Sequence, residues 1–473
     1  MKRPARRDAG CMAIIFLLAT PTLALSQGSS GGGQLPSTPR IYQTLRFDEK
    51  YFYLSNPTNR TDWFDPIKYI PLRRDEPTWY LTFGGEVRER FEGVYDPNFG
   101  IGFGPDAYLL QRLTFLSDLH LGERVRVFAE GISGLMVGEN APAPPVQEDP
   151  IDLAYAFVDV VPYLTTEQSL TLRAGRFGMS FGSGRLVATR AAPGAPNIPF
   201  RFDGGEAIYS GRDWAATGFL TRPAKDSGHI DGSDRDTEFW GLYVTRWWDA
   251  SGLDLYYLGI HNTPGHYASG VANETRHSFG VRIFGQRDHW EWNQEDVLQV
   301  GSFGDQSILA WTASTAVRYT FDALWLPQLA LRFDVISGSP DLHDGRQGTF
   351  NPLYPNPGYF NDASLLRPSN LIDVHPYATV RFTPALSADG GVAAFWRYST
   401  SDAVYEPSGF VVIPALENSP AYVATAVDVN LTWQIQRHLT FQASYVHFFT
   451  GSYVNQAGGS DVNFVSTTLA FLF

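Results

Sequence analysis

Leu81-Thr-Phe-Gly-Gly-Glu-Val-Arg-Glu-Arg-Phe-Glu92 alternates with a period of two: Leu81, Phe83, Val87 and Phe91 fall on one side, Thr82, Glu86, Arg88 and Arg90 on the other. Successive side chains of a β-strand point to opposite faces, so the stretch predicts a strand with one apolar and one charged face. The same pattern recurs outward from it. In Arg124-Val-Arg-Val-Phe-Ala-Glu130, Val125, Val127 and Ala129 oppose Arg124, Arg126 and Glu130. In Leu329-Ala-Leu-Arg-Phe-Asp-Val335 the odd positions are apolar while Arg332 and Asp334 share the other face. Near the end, Val427, Val429, Leu431 and Trp433 oppose Asp428, Asn430 and Thr432.

Eighteen such blocks can be marked: 79–92, 107–121, 124–133, 152–161, 168–177, 204–211, 213–222, 237–248, 252–261, 275–285, 289–300, 307–320, 328–338, 373–383, 387–399, 421–434, 438–449 and 461–473. Connections after odd-numbered blocks are mostly long (93–106, 134–151, 178–203, 223–236, 262–274, 339–372, 400–420, 450–460), with 301–306 shorter than the rest. Those after even-numbered blocks are mostly short turns such as Gly122-Glu123 and Gly211-Arg212, with 321–327 longer. An even number of ~10-residue alternating segments, with long loops at one end only, marks a bacterial outer-membrane barrel. The expected fold class is therefore all-β: one transmembrane antiparallel β-barrel of eighteen strands over residues 79–473, with long extracellular loops. A soluble sandwich or propeller also alternates, but eighteen strands would need two or three domains, and no linker divides this chain.

Composition agrees. Of 473 residues only 18% are charged, below the roughly 25% usual for soluble domains, and 33 Phe, 23 Tyr and 12 Trp are present. That much apolar and aromatic surface excludes disorder. After the first thirty residues no apolar run of the roughly 18 residues required by a spanning helix occurs, which excludes a helical membrane protein. Residues 1–26 read as a secretory signal peptide: Lys2, Arg3, Arg6 and Arg7 precede an apolar stretch from Cys11 to Leu25, with cleavage expected before Gln27. Export would place the barrel in the bacterial outer membrane. Residues 27–78 lack the strand pattern and are expected to form a linker and a periplasmic lead-in at or inside the barrel mouth.

Loss of the signal removes Cys11, so disulfides, thiol catalysis and thiolate metal sites are excluded from the mature chain. It also removes four basic residues and Asp8, taking the net charge from −13 to −16. Such an acidic chain offers no general field for nucleic acid. Of its remaining basic residues only Lys50, Lys68 and Lys225 are lysine; 29 are arginine.

The chemistry must lie on the lumen side, because charge facing lipid at the midplane costs about 2–4 kcal/mol. Arg88, Arg90, Arg112, Arg126, Arg173, Arg282, Arg318, Arg332 and Arg381 all fall on the polar faces of their blocks, together with Glu86, Glu130, Asp159, Asp334 and Asp428. Arginine stays charged and presents a planar fork that matches a carboxylate, so a ladder of such forks suits an anionic substrate such as a chain of uronates. Roughly nine arginines against five carboxylates predicts an excess positive potential. Bracing of a wide barrel by Arg–carboxylate pairs is the alternative role, and the two are compatible. Arg185, Arg190 and Arg201 lie in 178–203, a loop able to fold inward and form a constriction or to stay mobile outside. Acids such as Asp149, Asp226, Asp231, Asp341 and Asp344 fall in expected loops. His343 and His375 lack metal-ligand spacing and no nucleophile elbow occurs, so neither metal, cofactor nor catalysis is expected.

Several segments resemble the alginate-export family of outer-membrane proteins, whose known member is an eighteen-stranded channel for a polyuronate. They are Asp65-Pro-Ile-Lys-Tyr-Ile-Pro-Leu72 followed by the 81–92 stretch; Arg173-Ala-Gly-Arg176, Phe181-Gly-Ser-Gly-Arg-Leu-Val187 and Phe202-Asp-Gly204; and Thr349-Phe-Asn-Pro-Leu-Tyr-Pro355 with Pro368-Ser-Asn-Leu-Ile-Asp-Val-His-Pro376. The resemblance implies a barrel with a transport role and leaves the substrate open: a polyuronate, a small organic anion, or none if the barrel serves structure or adhesion. The closing strand Leu469-Ala-Phe-Leu-Phe473 resembles the segment recognised by outer-membrane assembly machinery. A monomer in outer-membrane lipid is expected.

Overall fold

In the computed structural model, residues 42–102, 104–140, 144–192, 194–227 and 230–473 are described. The signal peptide and its cleavage position lie outside the described residues.

Eighteen long strands form the wall: β1 (Trp79–Tyr95), β2 (Asp106–Leu121), β3 (Val125–Val137), β4 (Asp149–Leu164), β5 (Ser169–Phe177), β6 (Phe202–Ser210), β7 (Trp214–Pro223), β8 (Thr237–Trp248), β9 (Ser251–Tyr267), β10 (Gly270–Arg287), β11 (Trp290–Phe303), β12 (Gln306–Thr320), β13 (Gln328–Ile336), β14 (Leu371–Thr383), β15 (Leu386–Arg397), β16 (Tyr422–Gln436), β17 (Leu439–Thr450) and β18 (Val462–Leu472). Each pairs antiparallel with the next. β18 returns to β1, from Leu472 opposite Glu86 to Asn463 opposite Tyr95, so the ring is closed and no edge is left. Phe473 extends this seam: its backbone N–H donates to Gly85 O (3.0 Å) and its carbonyl accepts from Gly85 N (2.9 Å).

Alternation decides what each face does. Val87, Phe91, Leu113, Phe115, Leu242 and Leu329 stand exposed on the outside, a belt suited to hydrocarbon. Tyr163, Trp214, Trp248, Trp290, Trp325 and Trp433, also exposed, ring the end with the short turns, where amphipathic aromatics favour a membrane interface.

One expected long connection is corrected. β9 and β10 run past 262–274 and meet at a two-residue turn, Ala268-Ser269, with His261 opposite Thr275 and Asn262 opposite Glu274. Polar residues signal a loop in a soluble protein, but in a barrel the inward face is polar too: Glu274 is buried there and accepts from Tyr267 Oη (2.8 Å) and Arg276 (2.5 Å). The short 301–306 connection is a tight Gly304-Asp305 turn for the same reason.

The lumen is filled from both ends. Residues 42–69 enter at the short-turn end, where Phe47 sits edge-on to Phe128, Tyr155 and Phe157 with ring centroids 5.7, 5.5 and 5.2 Å away. Arg46 donates to Gly85 O (3.0 Å) and Phe473 O (2.9 Å), tying this segment to the barrel seam. From the opposite end, segments 178–201 and 337–370 fold inward. Their Met179, Leu186, Val187, Ile198, Phe350 and Leu366 share one apolar core with inward-facing Phe202, Phe239 and Phe395. Truncation of a buried aromatic costs about 3–5 kcal/mol. Phe47→Ala is therefore expected to undock residues 42–69 while leaving the wall intact, seen as faster proteolysis of that segment in the detergent-solubilised protein. Unchanged proteolysis would mean that the polar ties of the segment, Arg46 to the seam, Arg126 to Phe47 O and Thr82 to Lys68 O among them, hold it without the ring.

Candidate pore lining

Strand register builds the charged wall. Directly opposed residues on one face have Cβ atoms about 4.5–5.5 Å apart, close enough for their side chains to pair. Arg126 (β3) lies opposite Asp159 (β4), Asp159 opposite Arg173 (β5), and Arg173 opposite Glu206 (β6). The result is a rung of alternating sign. Arg126 donates to both oxygens of Asp118 (2.7 and 2.8 Å), and Arg173 to both of Asp159 (2.8 and 3.0 Å) and to Glu206 (3.1 Å).

A second rung runs Asp254 (β9), Arg282 (β10), Glu295 (β11), Ser314 (β12), Asp334 (β13) and Asp373 (β14), each opposite the next. Arg282 donates to Asp254 (2.8 Å). That leaves three carboxylates crowded on β11, β13 and β14. Arg332 serves part of the need, 3.3 Å from Asp373 and 3.5 Å from Asp334, and also donates to Tyr359 O (2.6 Å). The rest comes from outside the wall: Arg185 of the inward loop reaches Asp334 (3.0 Å) and Glu295 (3.3 Å).

The same loop answers the opposite problem on β1 and β2, where Arg88 and Arg112 stand directly opposed. Arg88 donates to Ala195 O (2.6 Å) and Asn197 Oδ1 (2.5 Å). Arg112 donates to Ala191 O (3.0 Å), Pro196 O (3.3 Å) and Glu86 (2.9 Å). Loop carbonyls thus meet the basic side of the lumen, and a loop arginine meets its acidic side. Of the other two loop arginines, Arg190 stacks on Phe200 (3.6 Å to the centroid), 3.5 Å from Asp226. Arg201 is buried against Asp152, Asp226 and Asp231. The loop lies inside the lumen, and each of its three arginines is paired with acidic side chains.

The remaining sequence candidates also face inward. Arg90 pairs with Glu92 (2.5 Å) and Asp362 (3.0 Å), Arg318 with Glu291 (3.2 Å). Glu130 is buried, its Oε2 without a hydrogen-bond partner among the described residues. Arg381 lies opposite Ser387, near the short-turn end, with no ion pair within 4 Å among the described residues. His375 is buried against Arg332 (2.8 Å) and 3.6 Å from Asp428, and His343 is exposed beside Asp341.

The expected arginine surplus is corrected. Glu92, Asp118, Glu206, Asp254, Glu274, Glu291, Glu295 and Asp373 pair with arginines on the lumen side as well, so most of the ladder is locally neutralised. Missed arginines are there too. Arg276, fully buried, pairs with Glu274 (2.5 Å); Arg397 is held by backbone carbonyls and Ser419 and stacks on Tyr453. Arg276 shares the even face of β10 with Arg282, a parity that could have found it, whereas Arg397 stands at a strand end. The inner sides of β16–β18 differ: they carry no arginine, and Asn430, Gln442, Ser444 and Ser466 line a cleft there with Arg90, Asp362 and Asp389.

The family model for alginate export matches residues 79–467. The chain belongs to the alginate export family. Its barrel is accordingly that of an outer-membrane channel protein. No curated protein matches the chain. Among solved structures, this alginate export family member is similar to a BenF-like porin from Pseudomonas fluorescens Pf-5, with TM-score 0.58 and 9% identity over 83% of this chain and 99% of that one. OccK11 (OpdR) of Pseudomonas aeruginosa gives 0.53 and 11% over 83% and 96%. OpdK of the same organism, crystallised with vanillate, gives 0.53 and 11% over 83% and 98%. At such identities the likeness concerns the fold.

Proposed function

We propose that this protein is a monomeric outer-membrane channel, reached after signal-peptide-directed export, for export or diffusion of an anionic substrate along an arginine-bearing lumen. What supports the reading is a closed barrel of the alginate export family in which seven of the nine sequence-marked arginines, all but Arg126 and Arg381, are buried. A polyuronate such as alginate is the substrate the family description suggests. The dense filling of the lumen by 42–69, 178–201 and 337–370 favours a second reading, a small organic anion, because a polymer needs more of the bore cleared. Planar-bilayer reversal potentials, with and without uronate oligomers, separate these readings. Block by oligomers supports the polymer and anion preference without block the small anion, while absence of conductance would leave a structural or adhesion barrel.

Local pairing makes a sharper expectation. An arginine committed to two carboxylates contributes little field, whereas Arg381, without such a partner among the described residues, keeps its charge for the pore. Arg381→Gln should lower anion preference, most visibly at low salt where the Debye length exceeds its roughly 8 Å physiological value. Arg173→Gln should leave selectivity nearly unchanged. The reverse order of effects would overturn the distinction between bracing and conducting arginines.

A further inference from the structure

Three acids read from sequence as loop charges or strand ends come together under cover at the outer end of the wall. Asp149 and Asp152 open β4, three residues apart, and would face opposite sides of a regular strand. A register irregularity between Ile132 and Gly134 of the partner β3 turns both inward. Asp231, from the segment between β7 and β8, joins them. All three are buried, with exposures of 0, 4 and 7%. One carboxylate oxygen from each lies within 4.8 Å of the others.

Two of the three are well served. Asp152 Oδ1 accepts from the backbone N–H of Asp231 (3.0 Å) and of Leu153 (2.7 Å), and Oδ2 accepts from Arg201. Asp231 accepts from the Ser227 backbone (2.9 Å) and hydroxyl and from Arg201 (3.4 Å). Asp149 is the exception. Among the described residues neither of its oxygens has a hydrogen-bond donor, and the Arg201 guanidinium stays 3.9 Å away. Arg201 must also serve Asp226 (2.7 Å), and Arg176 is engaged by Asp203 (2.7 and 2.9 Å). The cluster therefore carries more negative charge than its arginines offset, and a fully buried carboxylate without a donor points to a partner of positive charge.

We propose that Asp149, Asp152 and Asp231 form a binding site for a hard divalent cation, calcium by its size. Calcium takes six to eight oxygens in a flexible arrangement at about 2.3–2.6 Å, so oxygens across one ion lie about 4.6–5.2 Å apart, the span available here. Magnesium demands a tighter octahedron and retains its waters. The bound ion takes both free oxygens of Asp149 and joins β4 to the β7–β8 segment. Through Arg201 it also secures the end of the inward loop. The site is independent of what the channel carries.

Full-length protein folded in detergent and stripped with EDTA is titrated with calcium chloride by calorimetry. One equivalent should bind; Asp149→Asn and Asp231→Asn should each weaken it by at least about tenfold, and Asp341→Asn, an exposed acid elsewhere on the outer face, should not. Heat-modifiable gel mobility reports whether each variant retains the barrel, and if Asp149→Asn does not, Asp231→Asn decides. Absence of saturable binding by the unmodified protein overturns the site, as it would if Asp149 and Asp152 shared a proton instead. Unchanged affinity in the folded Asp149 and Asp231 variants, or equal weakening by Asp341→Asn, also overturns it.

Discussion

Arg185→Met should release the inward loop from the acidic side of the lumen. Arg185 is buried between Glu295 and Asp334, the latter fully covered. Removing one partner of a buried ion pair typically costs about 3–5 kcal/mol, because the carboxylates left behind remain out of water without their cation. Tyr256 still donates to Glu295, and Tyr359 to Asp334, so neither carboxylate loses every donor. The loss falls on loop docking. External protease should then cut within 178–201, and single-channel records should show gating noise absent from the parent. Adding Glu295→Gln should recover part of the stability, since it removes one of the uncompensated charges. Equal protease resistance in Arg185→Met and parent would show that the apolar contacts of Leu186, Val187 and Ile198 suffice.

Excision of residues 179–200 should raise conductance several-fold. The loop leaves the wall at Phe177 and returns at Phe202, which are directly opposed at the ends of β5 and β6. Excision leaves Gly178 and Arg201 between that pair, and a Gly-X dipeptide suits a two-residue type II′ turn that keeps the strand register. Barrels of sixteen to eighteen strands leave an aqueous channel when nothing fills them. Here the excised segment supplies Met179, Leu186, Val187 and Ile198 to the lumen core and caps Arg88 and Arg112. Conductance close to that of the parent would place the path elsewhere, along the arginine-free sides of β16–β18.

The wall was legible in residue order because a barrel strand obeys a local rule. Leu81 to Glu92 alternates since one face meets lipid and the other does not, and eighteen repetitions with long and short connections in turn suffice to count the strands. The same parity put Arg88, Arg112, Arg173 and Arg332 on the lumen side. It failed at 262–274, where inward polarity looks like a loop. Pairing lay beyond it. Whether Arg173 meets Asp159 and Glu206 depends on the register of three strands, and whether Arg185 reaches Glu295 and Asp334 depends on a loop crossing from β5 to β11 and β13. Arg46 and Phe47 carry no periodic signal because they fit a mouth already formed by the closed wall. Asp149 and Asp231 read as solvated loop charges, yet a register irregularity and an incoming segment bury both. Side-chain direction along a strand is a one-dimensional property and can be read from residue order. Neutralisation and filling of a lumen are contacts between segments tens to hundreds of residues apart, and only the closed ring brings them together.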